Sequence, residues 1–286
     1  MILVTGANGN LGSLTLAALR ARGVEAIGGS RTPGEGVRLL DFDQPSGIGL
    51  TGVSTLVLVS AGYAEDDQVI RRHAAVLDAA ARDGVKHVIY TSLTGAGDHL
   101  GFAPAHRATE RLVRGSGLSW TILRNGLYAE LFGALLMWNG DAVESAFGEG
   151  ALSAVAREDL ADVAAIVAGD PERHGERVYD LVGVPITAPA VADGLGVAHR
   201  TIGLGEYRRR LLDALDCCRS SRRCSPRSPP ASATASWATP VRIFKTCSTA
   251  LHTTHSPLLS PPRPPRARVR AERRGSRPRP VTQRAV

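Results

Sequence analysis

The stretch Val4–Gly12 reads V-T-G-A-N-G-N-L-G and decides the fold of this chain. The apolar run Ile2–Thr5 predicts a buried strand, and the apolar spacing within Ser13–Arg22 predicts a helix. Three glycines between a strand and a helix suit a dinucleotide. The first allows a tight turn, the second lets backbone N–H groups approach a pyrophosphate, and the third lets the helix pack against the strand. The stretch therefore predicts a dinucleotide-binding loop, with the positive end of the helix dipole facing the phosphates.

The residues of this loop that we expect to bind the cofactor are Gly6, Asn8, Gly9, Asn10, Leu11 and Gly12. A glycine-rich turn with a purely structural role would show the same local pattern. The cofactor loop is favoured because the following sequence continues with strand and helix patterns in the order of βαβ units.

Strand and helix patterns alternate through residues 1–215. Further strands are expected at 24–28, 37–40, 55–59, 85–91, 119–123 and 177–182, and further helices at 66–83, 104–116, 158–168 and 188–195. Alternation at this spacing predicts an α/β fold with a Rossmann-type, doubly wound parallel sheet.

The last quarter of the chain differs in kind from the rest. Residues 1–215 carry 19 Arg and Lys against 25 Asp and Glu, a net charge of −6, whereas residues 216–286 carry 15 against 2, a net charge of +13; the sum is the +7 of the whole chain. Residues 216–286 also contain all four cysteines and show neither helical nor strand periodicity. This Arg-, Pro- and Ser-rich composition predicts a disordered basic tail.

Two origins of the tail are open. An evolved basic arm would bind a polyanion, but nucleic acid is disfavoured because only Trp237 and Phe244 are present to stack on bases. The favoured alternative is a shifted reading frame in a GC-rich gene, because the change in composition is abrupt and residues 1–215 already contain 18 arginines and one lysine.

The composition of residues 1–215 also restricts the class of protein. This part has no cysteine, which excludes a disulfide framework and a thiolate metal site from it. His73 and His106 lack neighbours that would complete a metal site, so we expect no metal. No apolar run approaches the roughly 18 residues of a membrane span, and the first residues lead directly into the glycine loop without a signal-peptide pattern. We expect a cytoplasmic protein with no membrane partner.

The end of the second strand distinguishes NADP from NAD. An NAD site usually has Asp or Glu there, about 20 residues beyond the loop, to bind the ribose hydroxyls. The sequence instead reads A-I-G-G-S-R and places Ser30 and Arg31 at this point. An arginine can pair with a 2′-phosphate, although an ordinary solvated arginine would look the same. The sequence therefore predicts NADP, with NADPH preferred over NADH and Arg31 as the selecting residue.

Several separated segments together resemble a known family. They are G-A-N-G-N-L-G (6–12), Y-T-S-L (90–93), A-T-E-R-L (108–112), L-R-N-G-L-Y-A-E (123–130), R-E-D-L-A (157–161) and G-E-R-V-Y-D-L-V-G (175–183). In this order they resemble the NmrA-like branch of the atypical short-chain dehydrogenase/reductases, and most of all the type-2 NADPH:quinone oxidoreductases. The resemblance covers residues 1–215 and implies substrate-side elements mainly in 126–215. It places the nicotinamide near Ser60, Ala61, Gly62, Ser92, Asn125 and Gly126.

The proton-transfer pair of most short-chain reductases is missing from the sequence. Those enzymes protonate a carbonyl with the tyrosine of Y-x-x-x-K, whose pKa the lysine lowers. The chain has only Lys86 and Lys245, and neither stands four residues after a tyrosine. Where the resemblance implies the helix lysine, the sequence has Arg111, which can bind a ribose or a phosphate but does not exchange protons. Arg111 thus remains a candidate for cofactor binding, while the usual alcohol/ketone mechanism is disfavoured.

A quinone acceptor does not need that pair. Hydride transfer from NADPH to a quinone gives a weakly basic hydroquinone anion, which can take its proton from water. Ser92, Asn125 and Tyr128 are candidates for the pocket of the substrate and the nicotinamide, although Ser92 would equally suit a strand-end cap and Tyr128 a core position. No residue has a certain catalytic role.

We therefore expect an oxidoreductase that transfers a hydride from NADPH to a quinone-like small molecule. The alternative is a non-catalytic, NADP-binding regulator that senses redox state and binds a protein partner. An epimerase on the same scaffold is a weaker hypothesis, because it would also want a proton-transfer pair. A homo-oligomer is compatible with each of these.

Overall fold

A parallel sheet carries the glycine loop. The structure, a computed structural model, describes residues 1–32, 34–60, 64–139, 141–221 and 268–272. Seven of the eight strands of this sheet, numbered in chain order, are in spatial order β3 (Val37–Leu39), β2 (Ala26–Ser30), β1 (Ile2–Thr5), β4 (Thr55–Leu58), β5 (His87–Leu93), β6 (Ser119–Asn125) and β10 (Arg177–Val182). All neighbouring pairs among these strands are parallel. The strand order changes direction beside β1, which is where doubly wound sheets bind ligands at the carboxyl ends of their strands.

Four helices belong to the βαβ pattern: α1 (Asn10–Ala21), α2 (Asp66–Arg82), α3 (Ala103–Gly115) and α5 (Arg157–Gly169). Helix α2 starts with two acidic residues in its first turn, which suits the positive end of its dipole. It ends before Gly84, whose φ of +77° is the left-handed conformation that glycine adopts readily. The core joins apolar side chains of the sheet to those of α2 and α3, including Leu56, Leu58 and Val76. The predicted α/β class and doubly wound sheet are thus confirmed.

The chain divides into two compact units. The sheet above belongs to the first, which comprises Met1–Asn125, Leu160–Leu181 and Arg268–Val286, and the second comprises Gly126–Asp159 and Val182–Ala267. The second unit contains α4 (Ala129–Ala134), β7 (Met137–Trp138), β8 (Ala142–Ser145), β9 (Ala151–Leu152), β11 (Ile186–Thr187), α6 (Ala188–Leu195), β12 (Ala198–Thr201) and α7 (Leu204–Ser221). In its three-stranded sheet, β8 pairs with β12 in parallel and with β7 antiparallel, while β9 and β11 form a separate antiparallel pair.

The second unit has its own apolar centre. The ring of Phe147 lies between those of Phe132 and Tyr207, with centroid distances of 5.8 and 5.6 Å. The Tyr207 hydroxyl donates a hydrogen bond to the Leu135 carbonyl at 2.8 Å, which ties α7 to the end of α4. Among the described residues, no helix is both long and apolar enough to cross a membrane.

Two described segments lie beyond the domain boundary predicted at residue 215. Helix α7 continues through Ser221, and the short strand β13 (Arg268–Glu272) lies beside β10 at the edge of the large sheet. The boundary itself stays a prediction. The rest of the tail, 222–267 and 273–286, lies outside the described residues, so disorder there stays a prediction.

Candidate cofactor and substrate site

The glycine loop between β1 and α1 has the geometry of a phosphate-binding turn. Gly6 has a φ of +63°, and the N–H of Gly9 donates to its carbonyl at 2.8 Å. A Cβ on Gly12 would lie 2.2 Å from the Gly6 carbonyl oxygen, so only glycine allows α1 to start this close to the turn. No side chain caps the start of α1, and its first turn contains no acidic residue. The N–H groups of that turn are therefore left for an anion.

The loop packs closely against the end of β2. The N–H of Ala7 donates to the Gly29 carbonyl at 3.1 Å, and a Cβ on Gly28 would lie 2.6 Å from the Cβ of Ala7. The Asn8 side chain donates to the Ser30 hydroxyl at 3.0 Å, so Asn8 links the loop to the strand end. Two glycines in β2 thus allow the loop to approach it.

The remaining loop positions contribute mainly through their backbone. Asn10 is exposed at the first position of α1, while the side chain of Leu11 is buried in the core. Leu11 can therefore meet a ligand only through its peptide group. This agrees with a site that recognises phosphate by N–H groups rather than by side chains.

Arg31 follows β2 directly and is exposed. No described residue forms an ion pair or a hydrogen bond with its guanidinium. The end of β2 itself is Ser30, and no carboxylate stands there to accept hydrogen bonds from ribose hydroxyls. The charge of Arg31 acts on the carboxyl of Asp43, but Asp43 is itself paired with Arg72. The geometry fits a cofactor with a 2′-phosphate, because the exposed guanidinium of Arg31 forms no ion pair with a described residue.

Farther along the sheet edge, a buried acceptor lacks a donor. The side chain of Asn125, at the end of β6, is 5% exposed, and its Oδ1 has no hydrogen-bond partner among the described residues. Leaving a buried acceptor unpaired costs about 1–3 kcal/mol. A ligand with an N–H group, such as the carboxamide of nicotinamide, would satisfy this atom. The residues present at the edge therefore fit the dinucleotide that the sequence predicts.

Besides Asn125 and Ser92, the structure describes two of the four residues predicted near the nicotinamide, Ser60 and Gly126. The N–H of Ser60, directly after β4, donates to the Thr91 hydroxyl at 3.0 Å. Ala61 and Gly62 lie outside the described residues. Gly126 is buried and is the first residue of the second unit.

A buried charge cluster at the ends of β5 and β6 was missed by the sequence reasoning. Its centre is Glu110 of α3, whose side chain is 1% exposed. Its carboxylate accepts hydrogen bonds from Ser92 Oγ at 2.7 Å, Arg107 Nη1 at 2.7 Å, Arg124 Nε and Nη2 at 2.9 Å each, and Arg114 Nη2 at 3.3 Å. The only clue in the sequence is the spacing of Arg107, Glu110 and Arg114, which share a helical face. It does not reveal that this face is buried.

The cluster determines the state of both Glu110 and Ser92. Burial acts to raise the pKa of Glu110, but the hydrogen bonds from Arg124 and Ser92 and the charges of Arg124 and Arg107 outweigh it, so the pKa lies below its ordinary value. The single hydroxyl proton of Ser92 is donated to this carboxylate. Ser92 can therefore offer a ligand only an acceptor lone pair.

Helix α3 has Arg107, which is not a proton donor, at the position where most short-chain reductases have the catalytic tyrosine. Arg107 stands four residues before Arg111, at the position that the tyrosine of Y-x-x-x-K would take if Arg111 replaced the lysine. Its Nη1 lies 3.4 Å from the Ser92 hydroxyl. Arg111 itself is exposed and lines a groove of about 220 Å³ between α2 and α3, together with Leu77 and Asp78. No hydrogen bond or ion pair joins the side chain of Arg111 to the cluster around Glu110 among the described residues, and its predicted role in cofactor binding stays a prediction.

The histidines of α2 and α3 lie in a neighbouring polar network. His106 Nδ1 is 2.9 Å from the Tyr90 hydroxyl, and His73 Nδ1 is 2.8 Å from the Thr109 hydroxyl. Burial is the main cause that lowers the pKa of His73 to about 3 and that of His106 to about 4, and it raises the pKa of Tyr90. Among the described residues, no three His, Cys, Asp or Glu side chains are grouped as a metal site. At neutral pH both imidazoles are therefore uncharged, His73 fully buried and His106 half-buried.

In the second unit, Tyr128 lies against Arg157. The Arg157 guanidinium carbon is 4.3 Å from the centroid of the Tyr128 ring, a cation–π geometry. The N–H of Arg157 also donates to Glu130 Oε1 at 3.0 Å, and its Nη1 lies 3.5 Å from Glu130 Oε2. These contacts fix one face of the Tyr128 ring within this unit. Asp159 lies in the first turn of α5, where a carboxylate suits the helix dipole.

Comparisons with known proteins agree with the cofactor loop. The model of the NAD(P)H-binding family matches residues 6–171. Quinone oxidoreductase 2 of Escherichia coli (strain K12) is 34% identical over 201 residues, which cover 64% of this chain and 68% of that protein. An NmrA-like family domain-containing oxidoreductase of Aspergillus flavus is 34% identical over 155 residues, which cover 48% of this chain and 50% of that protein.

Two solved structures are similar in both fold and sequence. The Citrobacter sp. triphenylmethane reductase complexed with NADP(H) superposes with a TM-score of 0.68 at 28% identity, covering 89% of this chain and 92% of that one. The NADPH-dependent quinone oxidoreductase of Escherichia coli complexed with NADPH gives a TM-score of 0.63 at 30% identity, covering 71% of this chain and 78% of that one.

Proposed function

Because this chain belongs to the NAD(P)H-binding oxidoreductase family, and within it to the NmrA-like branch, we propose that it transfers a hydride from NADPH to a quinone or a similar small electrophile. The glycine loop would hold the diphosphate through the N–H groups at the start of α1. Arg31 would pair with the 2′-phosphate, since its guanidinium forms no ion pair with a described residue and no carboxylate ends β2. Asn125 would accept a hydrogen bond from the carboxamide through its unpaired Oδ1.

The observation that carries this proposal is the position of Arg107. Its three guanidinium nitrogens donate to Asp98, Glu110, Ser92 and the carbonyls of Leu93 and Thr94. A guanidinium with all five N–H groups engaged neither donates a proton nor binds an oxyanion of a substrate. A reduction that needs a positioned acid is therefore disfavoured, and a quinone is an acceptor that needs none.

The chemistry divides simply between cofactor, protein and solvent. Bound NADPH supplies the hydride, and the quinone takes it up as a hydroquinone anion. That anion is weakly basic and takes one proton from water, so the atoms and charges balance without a protein acid. The protein's part is to align the two rings and to restrict competing solvent.

Rapid mixing with NADPH tests the proposal directly. NADPH is mixed with the full chain and a benzoquinone, and the absorbance of the reduced nicotinamide is followed; a simple ketone of similar size is the matched control acceptor. We expect oxidation of NADPH with the quinone and none with the ketone. Tight binding of NADPH without oxidation by any quinone would instead support the redox-sensing regulator. Oxidation by the ketone would contradict the assignment of Arg107.

A further inference from the structure

The turn Thr94–Asp98 follows β5 at the carboxyl edge of the sheet, where open α/β sheets bind their ligands. It contains a short 3₁₀ helix, Gly95–Gly97. The N–H of Thr94 donates to the Asn125 carbonyl at 2.9 Å, which joins the turn to the end of β6. The turn therefore borders the residue whose unpaired oxygen marks the proposed nicotinamide site.

Arg107 holds this turn from the side of α3. Its Nη2 donates to the carbonyls of Leu93 and Thr94 at 2.9 and 3.1 Å, and its Nε donates to Asp98 at 2.8 Å. One guanidinium thus contacts both ends of the turn. Its position is in turn fixed by buried Glu110, which lies 2.7 Å from Nη1.

Asp180 holds the same turn from the side of β10. One of its carboxylate oxygens accepts hydrogen bonds from the Thr94 hydroxyl at 3.0 Å and from the N–H of Gly95 at 3.4 Å. Inside the turn, a Cβ on Gly97 would lie 2.9 Å from two carbons of the Leu93 side chain, so the packing is close as well. Arg107 and Asp180 thus bind backbone groups of the turn from opposite sides. Loops at a protein surface are ordinarily more mobile than the elements they connect.

We propose that Arg107 and Asp180 are positioning residues that keep the turn Thr94–Asp98 as a rigid rim of the acceptor site. The inference rests on the proposed function and adds the source of its acceptor selectivity. The turn follows β5, which lies three strands away from β2 in the sheet order, so the rim acts on the acceptor and not on the diphosphate or the 2′-phosphate. Loss of either holding residue should weaken the use of acceptors and leave the affinity for NADPH unchanged.

The test compares Arg107→Met, Arg107→Lys and Asp180→Asn with the wild-type chain. The KM and kcat for a small benzoquinone and a larger naphthoquinone are measured alongside the Kd for NADPH. We expect Arg107→Met and Asp180→Asn to raise the acceptor KM by about tenfold and to reduce discrimination between the two quinones. Arg107→Lys should behave as Arg107→Met does, because an ammonium can pair with Glu110 but does not span the turn. The Kd for NADPH should change by less than about twofold.

Arg114→Met is the matched control, since Arg114 lies on the same helix and binds the same carboxylate but does not touch the turn. It should leave both acceptor constants unchanged. A second readout is amide hydrogen exchange, which we expect to become faster at Gly95 and Gly97 in Arg107→Met and not in Arg114→Met. Unchanged exchange at these amides, or unchanged acceptor KM, overturns the inference. A variant that loses affinity for NADPH as well as for the acceptor also overturns the inference, because Arg107 and Asp180 would then support the fold in general and not the acceptor site.

These outcomes are distinguishable from failure of the proposed function. If the wild-type chain binds NADPH but reduces no quinone, the proposed function fails, and the selectivity role fails with it. If the wild-type chain reduces quinones and the variants do so with unchanged constants, only the rim is refuted.

Discussion

The phosphate loop and the Glu110 cluster lie in the same unit, but they are built from different parts of the chain. The loop is made of backbone: it works because Gly12 has no side chain where a Cβ would meet a carbonyl oxygen at 2.2 Å. The cluster is made of side chains: three arginines from two elements surround one carboxylate. The loop should therefore be sensitive to an atom added at Gly12, and the cluster to loss of the Glu110 charge.

Gly12→Ala is expected to have the largest effect. The added Cβ must push α1 away from the Gly6 carbonyl, and forced overpacking typically costs about 1–3 kcal/mol or more. Because the N–H groups of α1 move with the helix, NADPH binding should fall below detection by calorimetry. Gly115→Ala is the control, since nothing lies within 4 Å of its added Cβ. Binding by Gly12→Ala at wild-type affinity would show that the loop is not the diphosphate site.

Glu110→Gln tests the side-chain half of the comparison. Removing the one charge shared by three guanidiniums leaves a partly buried excess of positive charge, and breaking a buried pair costs about 3 kcal/mol. We expect a loss of that size in the free energy of unfolding measured by urea titration. Glu35→Gln, at an exposed position of the same unit, should have little effect. An unchanged free energy of unfolding in Glu110→Gln would mean that other groups balance the charges of the three arginines.

The buried histidines predict how this unit responds to acid. Burial is the main cause that lowers the pKa of His73 to about 3 and of His87 and His106 to about 4, from an ordinary value of 6.5. Below pH 6.5 the unfolded chain therefore binds protons that the folded chain does not, so stability falls as the pH falls toward those values. Between pH 7 and pH 5 each residue should remove about 2 kcal/mol from the free energy of unfolding.

The variant for this prediction is His73→Gln, and the readout is the slope of stability against pH. Urea titrations at several pH values between 7 and 5 should give a shallower slope for His73→Gln than for the wild type. His99→Gln, at an exposed position, should keep the wild-type slope. Equal slopes for all three chains would refute the burial of an uncharged His73.

Arg31→Ala tests the cofactor site and should weaken NADPH binding less than Gly12→Ala does. Loss of one charge-assisted contact to a 2′-phosphate is worth about 1.5–3 kcal/mol, or tenfold and more in Kd. We expect calorimetry to show weaker NADPH binding and unchanged NADH binding. Arg20→Ala, in the last turn of α1, is the control arginine. An unchanged preference for NADPH would remove Arg31 as the selecting residue.

Asn125→Leu should have a small effect on stability, and it distinguishes a role of Asn125 in the fold from a role in the cofactor site. The substitution removes a buried acceptor that has no partner among the described residues, so the free energy of unfolding should stay the same or rise by about 1 kcal/mol. Reduction of quinone should nevertheless slow, because the nicotinamide loses a hydrogen bond that orients it. A variant that is less stable and equally active would place Asn125 in the fold rather than in the site.

Much of the first unit could be predicted because its signals are local. The strands Ile2–Thr5 and Arg177–Val182 have the bounds that the sequence predicts. In the second unit the same holds for the helix Ala188–Leu195. The strands of the second unit had no such signal: β7 and β9 are two residues long, too short to show an alternating period. β7 exists through a local antiparallel pairing with β8, and β9 through pairing with β11, which is distant in sequence.

The candidate site divides in the same way. Position and residue type were enough to identify the glycine loop, because a diphosphate site of this kind uses consecutive residues; Arg31 as the selecting residue stays a prediction. Position and residue type were not enough for Ser92. From the sequence alone, its hydroxyl could equally bind a ligand or cap the end of the strand. The structure shows that its proton belongs to Glu110, a residue that nothing in the sequence marks as buried.

The sequence by itself determined the strand–turn–helix that receives a dinucleotide, since tight turns, helix starts and apolar periods depend on neighbours along the chain. Only the tertiary structure decided which charges are buried together and which carbonyls Arg107 reaches. Such contacts join α3 to β5 and β6, and their strength depends on burial, which a local pattern does not contain.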